Sequence, residues 1–590
     1  MRSTRSGPLF NAFPYPTKIS PEAIALFIAS HTDPGATVFD GFAGSGSTGI
    51  AAILCASPTD EMKSEADRLG LSVRWGARRA VLYEIGVLGS FVSKVLCSPP
   101  DPSEFGRAAK QLLRDVERQW NWLYEASDPM GGKGTIRYIV WADMLRCPSC
   151  RKYVSLWDAC VSRKPAKISG FFTCPYCDED TNLAYVQRVH KTIVDDLLGK
   201  KRKTRRRVPA WVYGETNGQY WSRQADHLDL RILKCIDAVP VPVCAPRVAI
   251  PWGDLRRTGY HEGISHLHHF YTRRNLIAFA SLWAEVSKYP DHLQDALRFW
   301  LLSYNAAHST IMTRVVAKKG QDDLVVTSAQ PGVLYVSGLP VEKNVFAGIR
   351  RKFGTICRAF ELTHGRDDLV DVRNASSMKV DLPDKSVDYM FTDPPFGGNI
   401  PYAEVNFINE AWIGRATDPR EEVIISPYQG KTVDSYQELL VKAFREAYRI
   451  LRPDASATVA FHSTSARVWN AMRDACEQAG FYVANTSVLD KKQSSFKQVR
   501  SPGAVKGDPL ILLSKRRLSS SGAQDEICAV IDDLLVQAQQ SGDPVEASPQ
   551  RLYSRLVGHY LSTSQDVPIN ARDFYQQLKE RQAAREDQEM

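Results

Sequence analysis

Apolar and polar positions follow three different rhythms along this chain. Near the start, "SPEAIALFIASH" sets apolar residues at helical spacing behind a Ser-Pro pair and predicts an amphipathic helix. "ATVFDGFAGSGSTGIAAILCA" then predicts a strand over 37–39, a glycine-rich turn over 41–46 and a helix over 47–55. "RRAVLYEIG" (78–86) reads as a second buried strand ending in an acid, Glu84. The stretch 99–136 reads as polar and helical. Over 137–245 the rhythm is lost: paired cysteines, a basic run and isolated aromatics replace it, and the segment reads as an inserted module. "HLHHFYTRRNLIAFASLWAEV" (266–286) predicts a turn and a long helix, and "HLQDALRFWLLSYNAAHSTIM" (292–312) a second helix with an apolar stripe.

From 367 the alternation of short apolar runs and helical stretches returns. "DLVDVRNAS", "SVDYMFTDPPF", "SATVAFHST", "FYVANTSVL" and "DPLILLSK" read as strands; 435–453 and 465–480 read as helices between them. Strands alternating with helices predict an α/β fold with a mostly parallel, doubly wound sheet. Beyond 515 a Ser-rich linker leads into two or three polar helices, a small helical tail.

Two stretches carry candidate chemistry. In Asp40-Gly41-Phe42-Ala43-Gly44-Ser45-Gly46 the glycines permit a sharp turn and close approach of a ligand at the C-terminal end of a strand, where nucleotide-like ligands bind in such sheets. No Gly-Lys-Ser/Thr follows, and a carboxylate at the turn repels phosphate. A ligand with adenosine and a positive charge, such as S-adenosylmethionine, suits it, with Glu84 accepting from a ribose diol. An ordinary glycine-rich turn explains the same residues equally well. In "FTDPPF", Asp393 and the Pro394 carbonyl can each accept from an exocyclic amine. Pro394 and Pro395 fix φ and hold these acceptors in place. Phe396 can stack on a planar base, and a base paired in a duplex reaches such a loop only by flipping. The plainer alternative is a rigid strand-to-loop turn.

"FDGFAGSGSTGIAA" followed by "FTDPPF" resembles the DNA amino-methyltransferases of adenine N6 or cytosine N4, and within them the adenine-specific DNA methylases that contain a zinc ribbon. "FPYPTKISPEAI", "VLYEIG", "HHFYTRRNLIAFASLW", "AYRILRPDASATVAFH" and "VKGDPLILL" extend the resemblance over roughly 10–515. It implies a Rossmann-like, mixed seven-stranded methyltransferase sheet interrupted by a large insertion. It implies cofactor contacts from Thr17, Lys18, Asp40, Phe42, Ala43, Gly44, Gly46, Glu84 and Asn374, the last an Asn where the family often has an acid. It implies catalysis by Asp393, Pro394, Pro395 and Phe396, with a DPPF loop favouring adenine. The expected organisation is 1–98 and 366–515 as the two parts of the methyltransferase domain, 99–365 as a target-recognition insertion, and 516–590 as linker and tail. DNA is the implied partner, along with other subunits of a restriction–modification or phage-defence system. An N4-cytosine or RNA amino-methyltransferase, and an inactive nucleic-acid-binding subunit, are the alternatives.

Cys147-x2-Cys150 and Cys174-x2-Cys177, 23 residues apart and each with an internal proline, suit tetrahedral, structural Zn²⁺; two unrelated pairs or a redox dithiol are the alternatives. Lys200, Lys201, Arg202, Lys203, Arg205, Arg206 and Arg207 form a basic loop that either neutralises DNA phosphates or is a solvated surface. His266, His268 and His269 read as DNA contacts or helix caps rather than metal ligands, because no carboxylate accompanies them. Tyr402 is a candidate for the base pocket, whereas Trp412 reads as core.

Composition adds bounds. The chain has 590 residues, 44% hydrophobic and 24% charged, enough for three to four globular units, and its net charge of +9 is a weak pointer to a polyanion. No apolar run is long enough for a membrane span. The N-terminus carries no signal-peptide pattern, and 12 cysteines, scattered except for the two close pairs, suggest reduced thiols and a cytoplasmic location.

Overall fold

The computed structural model describes residues 2–3, 7–257, 259–491, 508–516, 526–542 and 545–589. It divides into two compact units: residues 1–99, 359–403 and 417–590 form the first, and residues 100–358 and 404–416 the second.

The first unit is an α/β sheet. Its strands are β1 (Thr37–Asp40), β2 (Arg79–Tyr83), β3 (Val370–Arg373), β4 (Val387–Thr392), β5 (Leu451–Ala460), β6 (Tyr482–Lys491) and β7 (Asp508–Ser514). They lie in the order β6-β7-β5-β4-β1-β2-β3, and Arg2–Ser3 adds a two-residue strand beyond β6. β3, β2, β1, β4 and β5 run parallel, while β7 is antiparallel to both β5 and β6. This is a doubly wound, mixed seven-stranded sheet of the Rossmann-like methyltransferase type. The central strands are near-continuous apolar runs, "TVFD", "RAVLY" and "VDYMFT", because helices cover both faces of a parallel sheet. The chain leaves β1 to one side and β4 to the other, so a crevice opens at the C-terminal ends of these two neighbours.

Helices over Pro21–His31, Ser47–Ala56, Val433–Ile450 and Ala466–Ala479 match the apolar periodicity. The tail is not a separate appendage. Helices over Ile527–Ser541 and Pro549–Ser562 bury Ile531, Leu552, Tyr553 and Leu556 in one core with Phe444, Trp469 and Phe481. The expected Ser-rich linker falls mostly outside the described residues.

The second unit departs further from the sequence reading. Only Pro102–Trp120 of the 99–136 stretch forms an α-helix; Glu125–Ser127 and the 14-residue strand Lys133–Arg146 follow. That long strand pairs with Arg207–Thr216, Val341–Lys343, Tyr153–Ser155 and Gln187–Arg188 in a sheet whose alternating burial is antiparallel in character. Its even- and odd-numbered residues serve opposite faces, so neither face alone gave a strong apolar signal. The helix expected over 292–312 ends at Leu302 and gives way to a π-helical turn, Asn305–Ser309. The basic run is strand rather than loop: Lys200–Arg205 pairs antiparallel with His190–Asp195.

Candidate functional site

The glycine turn leaves β1 at Asp40. This carboxylate is buried and receives three donors: the Thr48 hydroxyl at 2.6 Å, the Thr392 hydroxyl at 2.7 Å and the Phe42 N–H at 3.0 Å. Burial pushes its carboxyl up from the usual range, and the three donors offset part of that shift. Asp40 therefore braces the turn from beneath rather than presenting an open carboxylate. Ala43 donates to the Tyr83 carbonyl, which ties the turn to β2, and Phe42 packs against the core.

Gly44 and Gly46 have φ of +52° and +82°, a left-handed backbone that side-chain-bearing residues rarely adopt. A Cβ on Gly46 would meet Ser93, and one on Gly89 would come within 2.9 Å of the Tyr15 hydroxyl and the Glu84 side chain. Glu84, just past β2, accepts from Gly44 N–H at 2.7 Å and Gly86 N–H at 2.6 Å, so its carboxylate is locked beside the turn. Asn374, just past β3, donates its amide to the Glu84 and Ile85 carbonyls, which fixes which end of that amide is the acceptor.

At the end of β4 the DPPF loop is held from behind. Tyr436 donates to the Pro395 carbonyl at 2.6 Å, and Gly397 N–H also donates to it. Phe396 packs edge-on against Phe461, which packs on Trp469. Among the described residues no donor takes the Pro394 carbonyl. The Asp40–Thr392 bond joins the residue preceding Gly41 to the residue preceding Asp393. Two motifs about 350 residues apart thus share one crevice on adjacent parallel strands.

Tyr402 closes this region. Its hydroxyl meets Thr17 Oγ1 at 2.8 Å, and its ring stacks on Tyr15 with centroids 6.3 Å apart. Burial, then Asp393, Glu84 and Glu422, push its phenol up. Acids thus converge here, which favours a cationic guest. Glu422 itself is buried and pushed up by that burial. Thr17 has φ of +58°, unusual for a β-branched residue. Lys18 turns away: its buried ammonium donates to the carbonyls of Leu9, Phe10 and Phe13. It anchors the N-terminal segment, so the expected cofactor contact from Lys18 is replaced by a structural one. Sequence reasoning did not single out Tyr15, Glu422, Tyr436 or Phe461. Only Tyr15, between two prolines ahead of the glycine turn, had a visible signal.

In the second unit the four cysteines come together. Cys147 Sγ lies 3.7 Å from Cys177 Sγ, and Cys150 Sγ 3.7 Å from Cys174 Sγ, with all four within 4.8 Å of one another. A tetrahedron with Zn–S bonds of about 2.3 Å needs S···S separations of about 3.8 Å, so the donor set fits Zn²⁺. The two knuckles are equivalent. Cys147 N–H bonds Lys152 C=O and Cys174 N–H bonds Glu179 C=O, and the residues after the second cysteines, Arg151 and Asp178, have φ of +62° and +54°. The Glu179 N–H holds the Cys177 thiol down at about 7.

A second cluster, Asp195 with His268 and His269, is buried. Here the missing carboxylate comes from 73 residues away, so the reason for discounting a metal in the sequence does not stand. The geometry still argues against a cation. His269 Nδ1 accepts from Ser265 and His266 N–H, so the neutral ring carries its proton on Nε2, which donates to Asp195 Oδ2 at 2.6 Å. His268 Nε2 meets the same oxygen at 2.9 Å, and Arg202 Nε at 3.2 Å. Burial of His268 and His269 also removes them as DNA contacts, whereas capping of the 267–270 turn holds.

The basic run divides in two. Arg205 and Arg207 pair with buried Asp143 at 2.9 and 2.8 Å, and Arg202 pairs with Asp195. These three are corrected from phosphate contacts to internal partners. Lys200, Lys201, Lys203 and Arg206 remain exposed. Trp412 is core, donating to the Tyr271 hydroxyl. No described helix is long and apolar enough to cross a membrane.

No protein-family model matches the chain, and no curated protein matches it. Solved structures match part of it at low identity. Geranyl diphosphate methyltransferase, in complex with GPP and sinefungin, is 12% identical over 27% of this chain, with a TM-score of 0.16. The [4+2]-cyclase SpnF is 13% identical over 24%, with a TM-score of 0.13. The B. subtilis m1A22 tRNA methyltransferase TrmK is 11% identical over 39% of this chain and 72% of its own, with a TM-score of 0.16. This chain spans 57% and 42% of the length of the first two. Superpositions at this level carry no argument, and the strand order stands on its own.

Proposed function

We propose that this chain is an S-adenosylmethionine-dependent DNA methyltransferase acting on adenine N6. The observation that carries the reading is the Asp40–Thr392 bond, which sets the glycine turn and the DPPF loop side by side at the crevice between β1 and β4. Fold alone would not suffice, since one sheet hosts many chemistries. The surrounding groups fit a cationic nucleoside: acids at Glu84 and Asp393, and glycines where a Cβ would fill the cradle.

When bound, S-adenosylmethionine supplies a methyl group on a sulfonium. Glu84 is the acceptor for a ribose diol, and Asn374 the acceptor for an adenine amine. Asp393 and the Pro394 carbonyl accept from the target amine's two N–H groups and draw its nitrogen towards tetrahedral geometry. Phe396, held by Phe461, offers its face to the flipped base. Tyr436 and the two prolines keep this clamp in place between turnovers. In this reading Asp393 also accepts the proton that the amine loses after methylation. Four thiolates leave no open position, so a Zn²⁺ held there would be structural.

The test is transfer of radiolabel from S-adenosylmethionine to duplex DNA of mixed sequence. The full chain is expected to label adenine, and Asp393→Ala to lose about a hundredfold or more in rate. Absence of transfer by the unaltered chain overturns the reading; label on cytosine N4 or on RNA redirects it to the corresponding alternative.

A further inference from the structure

A second candidate site lies wholly within the second unit, built from residues far apart in sequence. The π-helical turn Asn305–Ser309 carries His308, and such turns occur disproportionately at functional sites. The Tyr304 ring stacks on His308 with centroids 4.8 Å apart. It lies so close to Gly348 that a Cβ there would overlap it. Gly348, Arg351 and Lys352 share one face of the helix Val345–Thr363 at i, i+3 and i+4 spacing. Lys343 Nζ lies 3.1 Å from His308 Nδ1. An ammonium only donates, so Nδ1 is the acceptor and the neutral imidazole carries its proton on Nε2. The site thus offers N–H donors from Lys343, Arg351 and His308 Nε2.

Such a grouping is unfavourable by itself. Burial, then Lys343, Lys352 and Arg351, push His308 down to about 3, and burial and Arg351 push Lys343 down to about 8. The charged groups acting on these two side chains are all cations. Elsewhere in the same unit buried charge is matched: Arg274 meets Glu342, and Arg205 meets Asp143. Like charges gathered around a half-buried imidazole call for an oxyanion to complete them.

We propose that Lys343, Arg351 and His308 form a binding site for a phosphate group, supplied by the backbone of a nucleic acid. The phosphate chemistry stands independently; the choice of DNA as its source rests on the methyltransferase reading above. A phosphodiester oxygen would accept from Lys343 and the Arg351 guanidinium together. Arg351 is exposed, so the group can be reached from solvent on that side.

The experiment is fluorescence anisotropy of labelled duplex DNA with the full chain and with Lys343→Met, Arg351→Gln and Lys343→Arg, over a salt series. Lys343→Met and Arg351→Gln are expected to weaken binding severalfold on every sequence and to lower the slope of log affinity against log salt by about one each. Lys343→Arg should keep the slope. In the same samples without DNA, Lys343→Met should melt no lower than the unaltered chain, because it relieves repulsion; a structural lysine would lower the midpoint. Thermal shift with inorganic phosphate forms the second arm. Stabilisation by phosphate that Lys343→Met abolishes, with DNA binding unchanged, supports the phosphate site and assigns it a free anion. Unchanged DNA binding, salt slope and phosphate response in both charge-removing variants overturn the proposal, whether or not methyl transfer is observed. Loss of methyl transfer with intact, slope-sensitive DNA binding would instead sink the enzymatic reading alone.

Discussion

Two buried carboxylates, one in each unit, receive three donors apiece, and the donors differ in kind. Asp40 takes two hydroxyls and a backbone N–H. Asp143 takes the guanidinium groups of Arg188, Arg205 and Arg207. Neutral donors solvate a charge without cancelling it, so an ionised Asp40 leaves negative potential beneath the glycine turn. Guanidinium donors outnumber the single carboxylate at Asp143 and knit three strands of cationic sequence into the interior. Burial is similar at both; the chemistry of the partners decides whether the result is an electrostatic platform or a structural knot.

The largest expected effect probes the knot's surroundings. If the four thiolates hold Zn²⁺, stripping it with a chelator is expected to remove on the order of 10 kcal/mol of metal-coupled folding energy from the second unit. Metal analysis should give one zinc per chain. Proteolysis should then open the cysteine knuckles while the α/β unit still resists; equal sensitivity of both units would end the contrast. Next, Asp143→Ala leaves three arginines without their shared partner and should cost about 3–5 kcal/mol in urea denaturation. A loss below about 1 kcal/mol would mean these arginines rely on exposed partners instead.

A smaller effect concerns Asp40. Its folded-state carboxyl is raised, so its contribution to stability is full below the unfolded value of about 3.9 and is lost as pH rises through the folded value. Asp40→Asn lacks this titration. Its stability relative to the unaltered chain should therefore improve as pH rises from about 4, against a constant deficit of about 1–2 kcal/mol for the altered hydrogen bonds. A pH-independent difference would contradict the raised value. The smallest effect separates the two halves of the basic run. Lys201→Gln should lower the salt dependence of DNA binding by about one phosphate without touching stability. Arg205→Gln should do the reverse.

The sheet was legible because its strands are apolar runs between turn residues, and the two motifs were legible because glycine and proline restrict the backbone in recognisable ways. The cysteine pairs carried their own geometry. What a sequence lacks is the partner from afar. Asp195 lies 73 residues from the histidines it joins, and Asp143 lies 62 from Arg205. The basic run therefore looked more available than it is. Lys18 sits in a family-like segment yet spends its charge on three local carbonyls. The long strand Lys133–Arg146 was hidden because both of its faces are partly polar.

The bond between Asp40 and Thr392 also has a bearing on biosynthesis. Its partners are 352 residues apart, so at roughly 5–20 residues per second the first waits on the order of half a minute for the second to leave the ribosome. During that interval β1 and β2 are made but lack β4, and their apolar residues have no completed sheet to enter. A nascent chain halted before Val387 would carry the glycine turn without the strand that braces it, and is expected to depend on a chaperone.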